Sequence, residues 1–299
     1  MKHKLAGIVI IGSVAALLTG CENELPEDAS FGRKVNYTIT GIEPGAGVTE
    51  QSRQALETYE NLEGWTLLES STAGMTTELD QAIKQEEPII ITGWTPNWIF
   101  ERYDLKILED PQNAFGEGDD IYSFARQGLE EDKPSAYTVL DRFAWEIDDM
   151  QAIVNDIQTT PIDEAVQEWI DSNQDQVDVW TEGVEPVDGE SFELITTPYD
   201  TERVSAEIVR TALEQVGYDV NVTTVDPAIM YQALAAGEAD GSVAPWLPVT
   251  HGYFVDEFGD QLVNLGVNLE GAVTGLVVPS YVEEIDSIAD LEPAPNTGN

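Results

Sequence analysis

Two stretches of the chain carry the same order of apolar and polar runs. The first reads as a strand over Val35–Ile42, the loop Gly45-Ala46-Gly47-Val48, and an acidic helix over Thr49–Leu62. A strand at Trp65–Glu69, a helix from Gly74 to Gln85 and an apolar strand Pro88–Thr92 follow, and the stretch closes on Gly93-Trp94-Thr95-Pro96. The second begins with a strand at Phe192–Thr196, the loop Pro198-Tyr199-Asp200-Thr201-Glu202 and a helix over Arg203–Val216. It continues with a strand at Val220–Val225, a helix over Ala228–Ala236 and a strand Gly241–Ala244, and it closes on Pro245-Trp246-Leu247-Pro248. Ile208, Ala212 and Val216 recur at helical spacing, and Asp226-Pro227 supplies a cap and a first-turn proline. Alternating strands and helices, with continuous runs such as Ile89-Ile90-Ile91, predict parallel α/β sheets. Two such units predict two α/β lobes, with a ligand cleft between them at the carboxyl ends of the strands.

Between the units, residues 105–190 read as helical and acidic, with helices over Tyr137–Arg142, Met150–Ile157 and Ile162–Trp169. Gly183 to Gly189 reads as a loop. The amino terminus differs from the rest. Lys2, His3 and Lys4 precede an apolar run from Leu5 to Leu18, the size of a signal-peptide core and short for a membrane span. Leu18-Thr19-Gly20-Cys21 resembles a bacterial lipobox, which predicts cleavage after residue 20 and lipidation of Cys21. Residues 21–32 then form a flexible acidic tether, and the protein is expected outside the cytoplasm, anchored to the outer face of the membrane by lipid alone.

Charge narrows the function. The chain of 299 residues holds 57 acids against 13 Lys and Arg, a net charge of −44. That excludes a general nucleic-acid binder, which needs basic patches to neutralise phosphates. The single Cys excludes an internal disulfide or a Cys-based metal site, and two His exclude a multi-histidine centre. No metal or cofactor is expected. The acidic clusters Glu117-Gly118-Asp119-Asp120 and Asp171–Asp178 miss the EF-hand spacing and read as solvated charge rather than calcium sites of an adhesin. No Gly-x-Ser-x-Gly or His-Glu-x-x-His is present, so an extracytoplasmic enzyme is the remote alternative.

Trp94 and Trp246 occupy the same place in the two units, each followed by x-Pro, and Tyr199 opens another strand-end loop. Aromatic faces converging from two lobes make a cage suited to a soft organic cation without N–H donors, at about 0.5–2 kcal/mol per face. Trp65, Trp145, Trp169 and Trp180 lie within helix or strand patterns and read as core, while Trp98 is open to either reading. Gly45-Ala46-Gly47-Val48, between a strand and a helix start, reads as an anion seat built from backbone N–H groups. His251, the only His after Cys21, follows Trp246 closely enough to donate to a carboxylate. A cation cage beside a carboxylate seat describes a betaine.

Four runs carry a family resemblance: Ile39-Thr40-Gly41-Ile42-Glu43-Pro44-Gly45-Ala46-Gly47, Ile89 through Pro96, Ala244 through His251, and Gly275-Leu276-Val277-Val278-Pro279. They resemble the glycine-betaine-binding lipoproteins of bacterial osmoprotectant ABC importers of the Gram-positive type, over about Val35 to Leu291. The resemblance implies a two-lobed, class II periplasmic-binding-protein fold with two crossovers. Lobe 1 would comprise residues 33–110 and 255–292, lobe 2 residues 111–254, and residues 293–299 a disordered tail. It further implies a prism of three Trp around the trimethylammonium, matched here by Trp94, Trp246 and, with Tyr in place of Trp, Tyr199. The ligand carboxylate would take the backbone N–H groups of Gly47 and Val48 and the side chain of His251. The implied partners are a small zwitterion and the permease subunit, with the binding protein a monomer. Proline betaine, dimethylsulfoniopropionate, carnitine and choline share the cation, and choline lacks the carboxylate that His251 would hold.

Overall fold

The computed structural model describes residue 26 and residues 28–295. The expected signal segment, Cys21 and half of the expected tether lie outside these residues, as do the last four positions. Ten strands carry the architecture: β1 (Thr38–Thr40), β2 (Thr66–Leu68), β3 (Ile91–Thr95), β4 (Leu105–Ile107), β5 (Asp119–Arg126), β6 (Ser191–Thr196), β7 (Asp219–Thr224), β8 (Gly241–Ser242), β9 (Trp246–Leu247) and β10 (Leu262–Pro279). Their order is β2-β1-β3-β10-β5-β8-β6-β7, with β4 also on β10 and β9 on β5.

The two parallel units expected from the sequence are present. Strand β1 pairs parallel with β2 and β3, and β6 pairs parallel with β7 and β8. Between them lies an antiparallel centre that the sequence did not announce. The 18-residue β10 runs through both lobes. Its first part, Leu262 to Ala272, pairs with β5, and Val273 to Pro279 pair with β3 and β4. The chain therefore passes from the first lobe to the second across residues 108–118 and returns within β10.

Residues 262–272 pair with β5, inside the segment 111–254 expected as lobe 2, and Phe254 of that segment stacks on Tyr231 at 4.9 Å. Phe31 is buried in a helix over Phe31–Lys34, and the N–H of Ala294 donates to the carbonyl of Glu63. The indole N–H of Trp65 donates to the carbonyl of Glu292, which fastens residues 291–294 to the first lobe.

Helices Gly47–Thr58, Thr72–Gln85, Asp200–Val216 and Pro227–Ala236 fall where the periodicity placed them, with Ser71 accepting from the Gly74 N–H as a cap. The first strand is shorter than Val35–Ile42, because Asn36 and Tyr37 adopt left-handed backbone at φ 52° and 50°. The middle segment contributes β5 and a helix over Gln174–Thr181 that the sequence reading missed. It also buries the core tryptophans. Phe143 meets Trp180 at 5.0 Å and Trp145 meets Trp169 at 5.7 Å, both edge to face.

Candidate functional site

A cavity lies where the lobes meet, its free space of about 350 Å³ continuous with solvent. Its lining includes Gly47, Val48, Trp94, Tyr199, Trp246 and His251, so all six residues expected at the site converge there. Ala46 of the expected anion-seat loop also lines it, and Glu202, Thr250 and Thr274 do so without having been foreseen. Among the described residues no cluster of His, Cys, Asp and Glu is arranged to hold a metal ion.

The aromatic wall comes from both lobes. Trp94 lies inside β3 rather than beyond it, its backbone paired with Thr274 of β10. Trp246 lies in β9, paired with Ile121 of β5. Anchoring on sheet backbone explains why both large rings are buried, at 8% and 3% exposure, without belonging to loops. Tyr199 is the cap residue of the helix Asp200–Val216 and stands edge-on to Trp94, with ring centres 5.9 Å apart. Burial, with Glu202 and Glu43 adding like charge, keeps the Tyr199 phenol protonated far above neutral pH. Trp98 packs instead near Tyr103 at 6.4 Å and beneath the Arg102 guanidinium at 5.7 Å, outside this wall.

The opposite wall is polar. The helix Gly47–Thr58 begins at the cavity with Ala46 as its cap. The N–H groups of its first turn have no carbonyl four residues back within the helix, which leaves Gly47 and Val48 N–H available to an anion. The Thr49 and Glu50 N–H groups turn back to the Ala46 carbonyl. Across the cavity, the N–H of Trp246 donates to His251 Nδ1 at 3.1 Å. A backbone amide can only donate, so Nδ1 is the bare nitrogen and Nε2 carries the proton. Complete burial drives the imidazole down to about 3, so His251 is a neutral donor at ordinary pH.

The lobes touch on both sides of the cavity. A methyl group added at Gly47 would come within 2.1 Å of Thr250 Cγ2. Thr250 is held in turn by buried Asp119, whose Oδ2 accepts from the Thr250 N–H at 3.1 Å and from its hydroxyl at 2.5 Å. Asp119 was read as solvated charge. It is 4% exposed and orders the turn before His251. On the other side, the Asn97 N–H donates to Gln151 Oε1 at 2.9 Å, and Gln151 Nε2 donates back to the Asn97 carbonyl at 3.2 Å. Asn97 follows β3 in the first lobe, and Gln151 sits on the second-lobe helix Ile147–Asp156.

Glu202 is the least expected member of the lining. It sits in the first turn after Tyr199 and is 4% exposed. Burial pushes its carboxyl up to about 7, against the opposing hydrogen bond from the Thr201 hydroxyl to Oε2. Nothing in its sequence context separates it from the other 56 acids.

Comparison with known proteins follows from this geometry. Residues 22–172 and 191–299 match the substrate binding domain of the ABC-type glycine betaine transport system. The chain belongs to that family. It is 41% identical over 297 residues to a glycine betaine/carnitine transport binding protein of Listeria monocytogenes, covering 98% of this chain and 99% of the relative. The crystal structure of lactococcal OpuAC, closed and complexed with glycine betaine, aligns at 44% identity with a TM-score of 0.46, over 49% of this chain and 58% of that one. A glycine betaine/L-proline-binding protein from Borrelia burgdorferi aligns at 32% identity with a TM-score of 0.45, over 51% of this chain and 58% of that chain.

This member of the glycine betaine transport family is thus a substrate-binding component of an ABC importer, a transport protein rather than an enzyme. Components of this kind work outside the cytoplasm and hand their ligand to a membrane permease. No helix among the described residues is long and apolar enough to cross a membrane.

Proposed function

We propose that this protein captures glycine betaine in the cavity between its lobes and delivers it to the permease for osmoprotection. Trp94, Tyr199 and Trp246 enclose the trimethylammonium by cation–π attraction. Gly47 and Val48 N–H and the Nε2–H of His251 seat the carboxylate. The observation that carries this reading is the convergence of those six residues, drawn from both lobes, on one cavity. The pairing suits a zwitterion: aromatic faces attract a cation that offers no hydrogen-bond donor, and three N–H donors neutralise an anion.

The anchor belongs to the same reading. Lipidation at Cys21 holds a monomeric binding protein at the outer membrane face, with residues from 22 to about 28 as its tether. Residues 28–110 with 273–295 act as one rigid lobe and 119–272 as the other, and ligand binding favours the closed arrangement. A carnitine-sized betaine is the second ligand reading, supported by the name of the Listeria relative.

The test is a tryptophan-fluorescence titration of the protein without residues 1–20. Saturation by glycine betaine at micromolar concentration, with choline far weaker, is the expected result. Equal binding of choline would overturn the carboxylate seat. A response to carnitine alone would move the substrate while keeping the site.

A further inference from the structure

Glu202 has no part in the seat or the cage as described above, yet it is a buried carboxyl on the wall of the same cavity. A buried carboxylate is costly to hold unless a cation or several donors compensate it. Its neighbours supply hydrogen-bond donors, its own backbone N–H among them, but no cation. The Thr201 hydroxyl donates to Oε2, and the Thr196 hydroxyl is engaged with the Glu202 carbonyl rather than its side chain. The Trp246 indole N–H has no hydrogen-bond partner, though it lies near enough to Glu202 to favour the ionised form. Among the described residues, no ion pair of Lys or Arg includes Glu202.

The charged groups around it do not supply a cation either. Asp200, on its own helix, adds like charge. Arg203 on that helix is engaged with Asp200 at 3.2 Å. Tyr199 remains neutral, with Glu43, Asp226 and Tyr253 acting on it alongside Glu202. His251, on the same cavity, is neutral as well. Glu202 sits in the first turn of the helix that Tyr199 caps and lines the cavity together with the Tyr199 and Trp246 rings.

We infer that Glu202 is a specificity-determining residue whose carboxylate serves as the counter-ion for the ligand's quaternary ammonium. The inference rests on reading the three rings as a cation cage. A quaternary ammonium has no N–H, so the attraction is a charge–charge one that needs no directional contact and works through the cage at close range. It favours ligands carrying a full positive charge. It also links binding to a proton: a cation beside Glu202 favours the carboxylate, so affinity rises with pH as Glu202 ionises. His251 stays neutral across that range and contributes no competing step.

The test measures glycine betaine affinity from pH 5.5 to 8.5 for the wild-type chain, Glu202→Gln and Glu202→Asp, each checked by its melting transition. For the wild type, Kd is expected to fall by about tenfold or more across that range. Glu202→Gln is expected to bind about tenfold more weakly at pH 8.5 and to lose the pH dependence. Glu202→Asp is expected to keep a pH dependence with a displaced midpoint, and it carries the test if the Gln variant fails to fold. A Gln variant that keeps wild-type affinity, or variants that all share one profile, would overturn the inference. A merely structural Glu202 would lower affinity in the Gln variant without flattening the profile, which also overturns it. Tetramethylammonium, the cation alone, is titrated in parallel. If glycine betaine fails to bind but tetramethylammonium binds with the Glu202-dependent profile, the betaine reading falls and Glu202 stands. If neither binds, both fall.

Discussion

The backbone N–H of Trp246 donates to Nδ1 of His251 at 3.1 Å, and the His251 N–H donates back to the Trp246 carbonyl at 2.9 Å. The two bonds close one turn. They tie the ring proposed for the cation to the imidazole proposed for the carboxylate, and they decide which imidazole nitrogen holds the proton. The His251 ring is further wedged against Tyr231 and Phe254, with ring centres at 5.8 and 6.0 Å. One short segment therefore fixes the two proposed ligand-binding groups relative to each other.

Replacing His251 separates those ends. His251→Ala is expected to weaken glycine betaine binding by about 10- to 100-fold, since a hydrogen bond to a charged group contributes about 1.5–3 kcal/mol. Tetramethylammonium, which has no carboxylate, should lose far less. Calorimetric titration with both ligands checks this, and equal losses would place His251 outside the seat.

Stability should also report the buried imidazole. Its folded value is depressed to about 3, while the unfolded chain titrates near 6.5. Between these values the unfolded state takes up a proton that the native state refuses. The contribution of neutral His251 is therefore fully present above about pH 6.5 and is lost as pH falls toward 3. His251→Asn is expected to flatten the pH dependence of denaturant unfolding within that window. A mutant profile parallel to wild type would refute it.

Gly47 faces Thr250 with no room for a side chain, because a methyl group there would meet Thr250 Cγ2 at 2.1 Å. Gly47→Ala should leave each lobe folded but hold the lobes apart. Expected are a near-normal melting temperature without ligand and at least a tenfold loss of betaine affinity. Scattering with saturating ligand should show a larger radius than wild type, and a closed, tight-binding variant would count against the contact.

At position 199 a smaller ring stands where the family resemblance implies Trp. Indole presents the stronger π face to a cation. Tyr199→Trp is expected to tighten betaine binding by about threefold to tenfold, provided that the 5.9 Å edge contact with Trp94 accommodates the larger ring. A weaker variant in a fluorescence titration would mean that packing against Trp94 outweighs the added attraction.

Away from the cavity, Asp240 ties three segments of the second lobe together. It bonds Arg126 at 2.9 Å and Lys133 at 2.6 Å, and it accepts from the Glu193 N–H at 2.9 Å. All three side chains are at most 15% exposed. Asp240→Ala leaves Arg126 with Asp132 alone and Lys133 with no acid partner among the described residues, and it is expected to cost about 3 kcal/mol by denaturant unfolding. A cost under about 1 kcal/mol would show that water replaces the carboxylate there.

The periodic elements were legible because their signals are local. Apolar spacing located the helix around Arg203–Val216, the Asp226-Pro227 start located that around Ala228–Ala236, and repetition of the strand–helix order revealed two units. The matched Trp-x-Pro positions pointed to the aromatic wall for the same reason. Both Trp94 and Trp246 proved to lie within short strands, since their sheet partners, Thr274 and Ile121, are remote in sequence. Asp119 was misread because burial of an acid depends on what folds over it, and Thr250 is 131 residues away. Glu202 was passed over among many acids, as its environment is set by Trp246 and the closed cavity rather than by its neighbours in the chain.

The sequence by itself determined the two α/β units and the helix start at Asp226-Pro227, through side-chain periodicity and backbone chemistry over a few residues, and with the family resemblance it pointed to the six residues that meet at the cavity. Only the tertiary structure decided that β10 joins both lobes, that His251 offers Nε2–H, and that Glu202 is buried beside the rings. Each of those depends on contacts between segments far apart in the chain, where desolvation and hydrogen bonding are set by the partner that arrives.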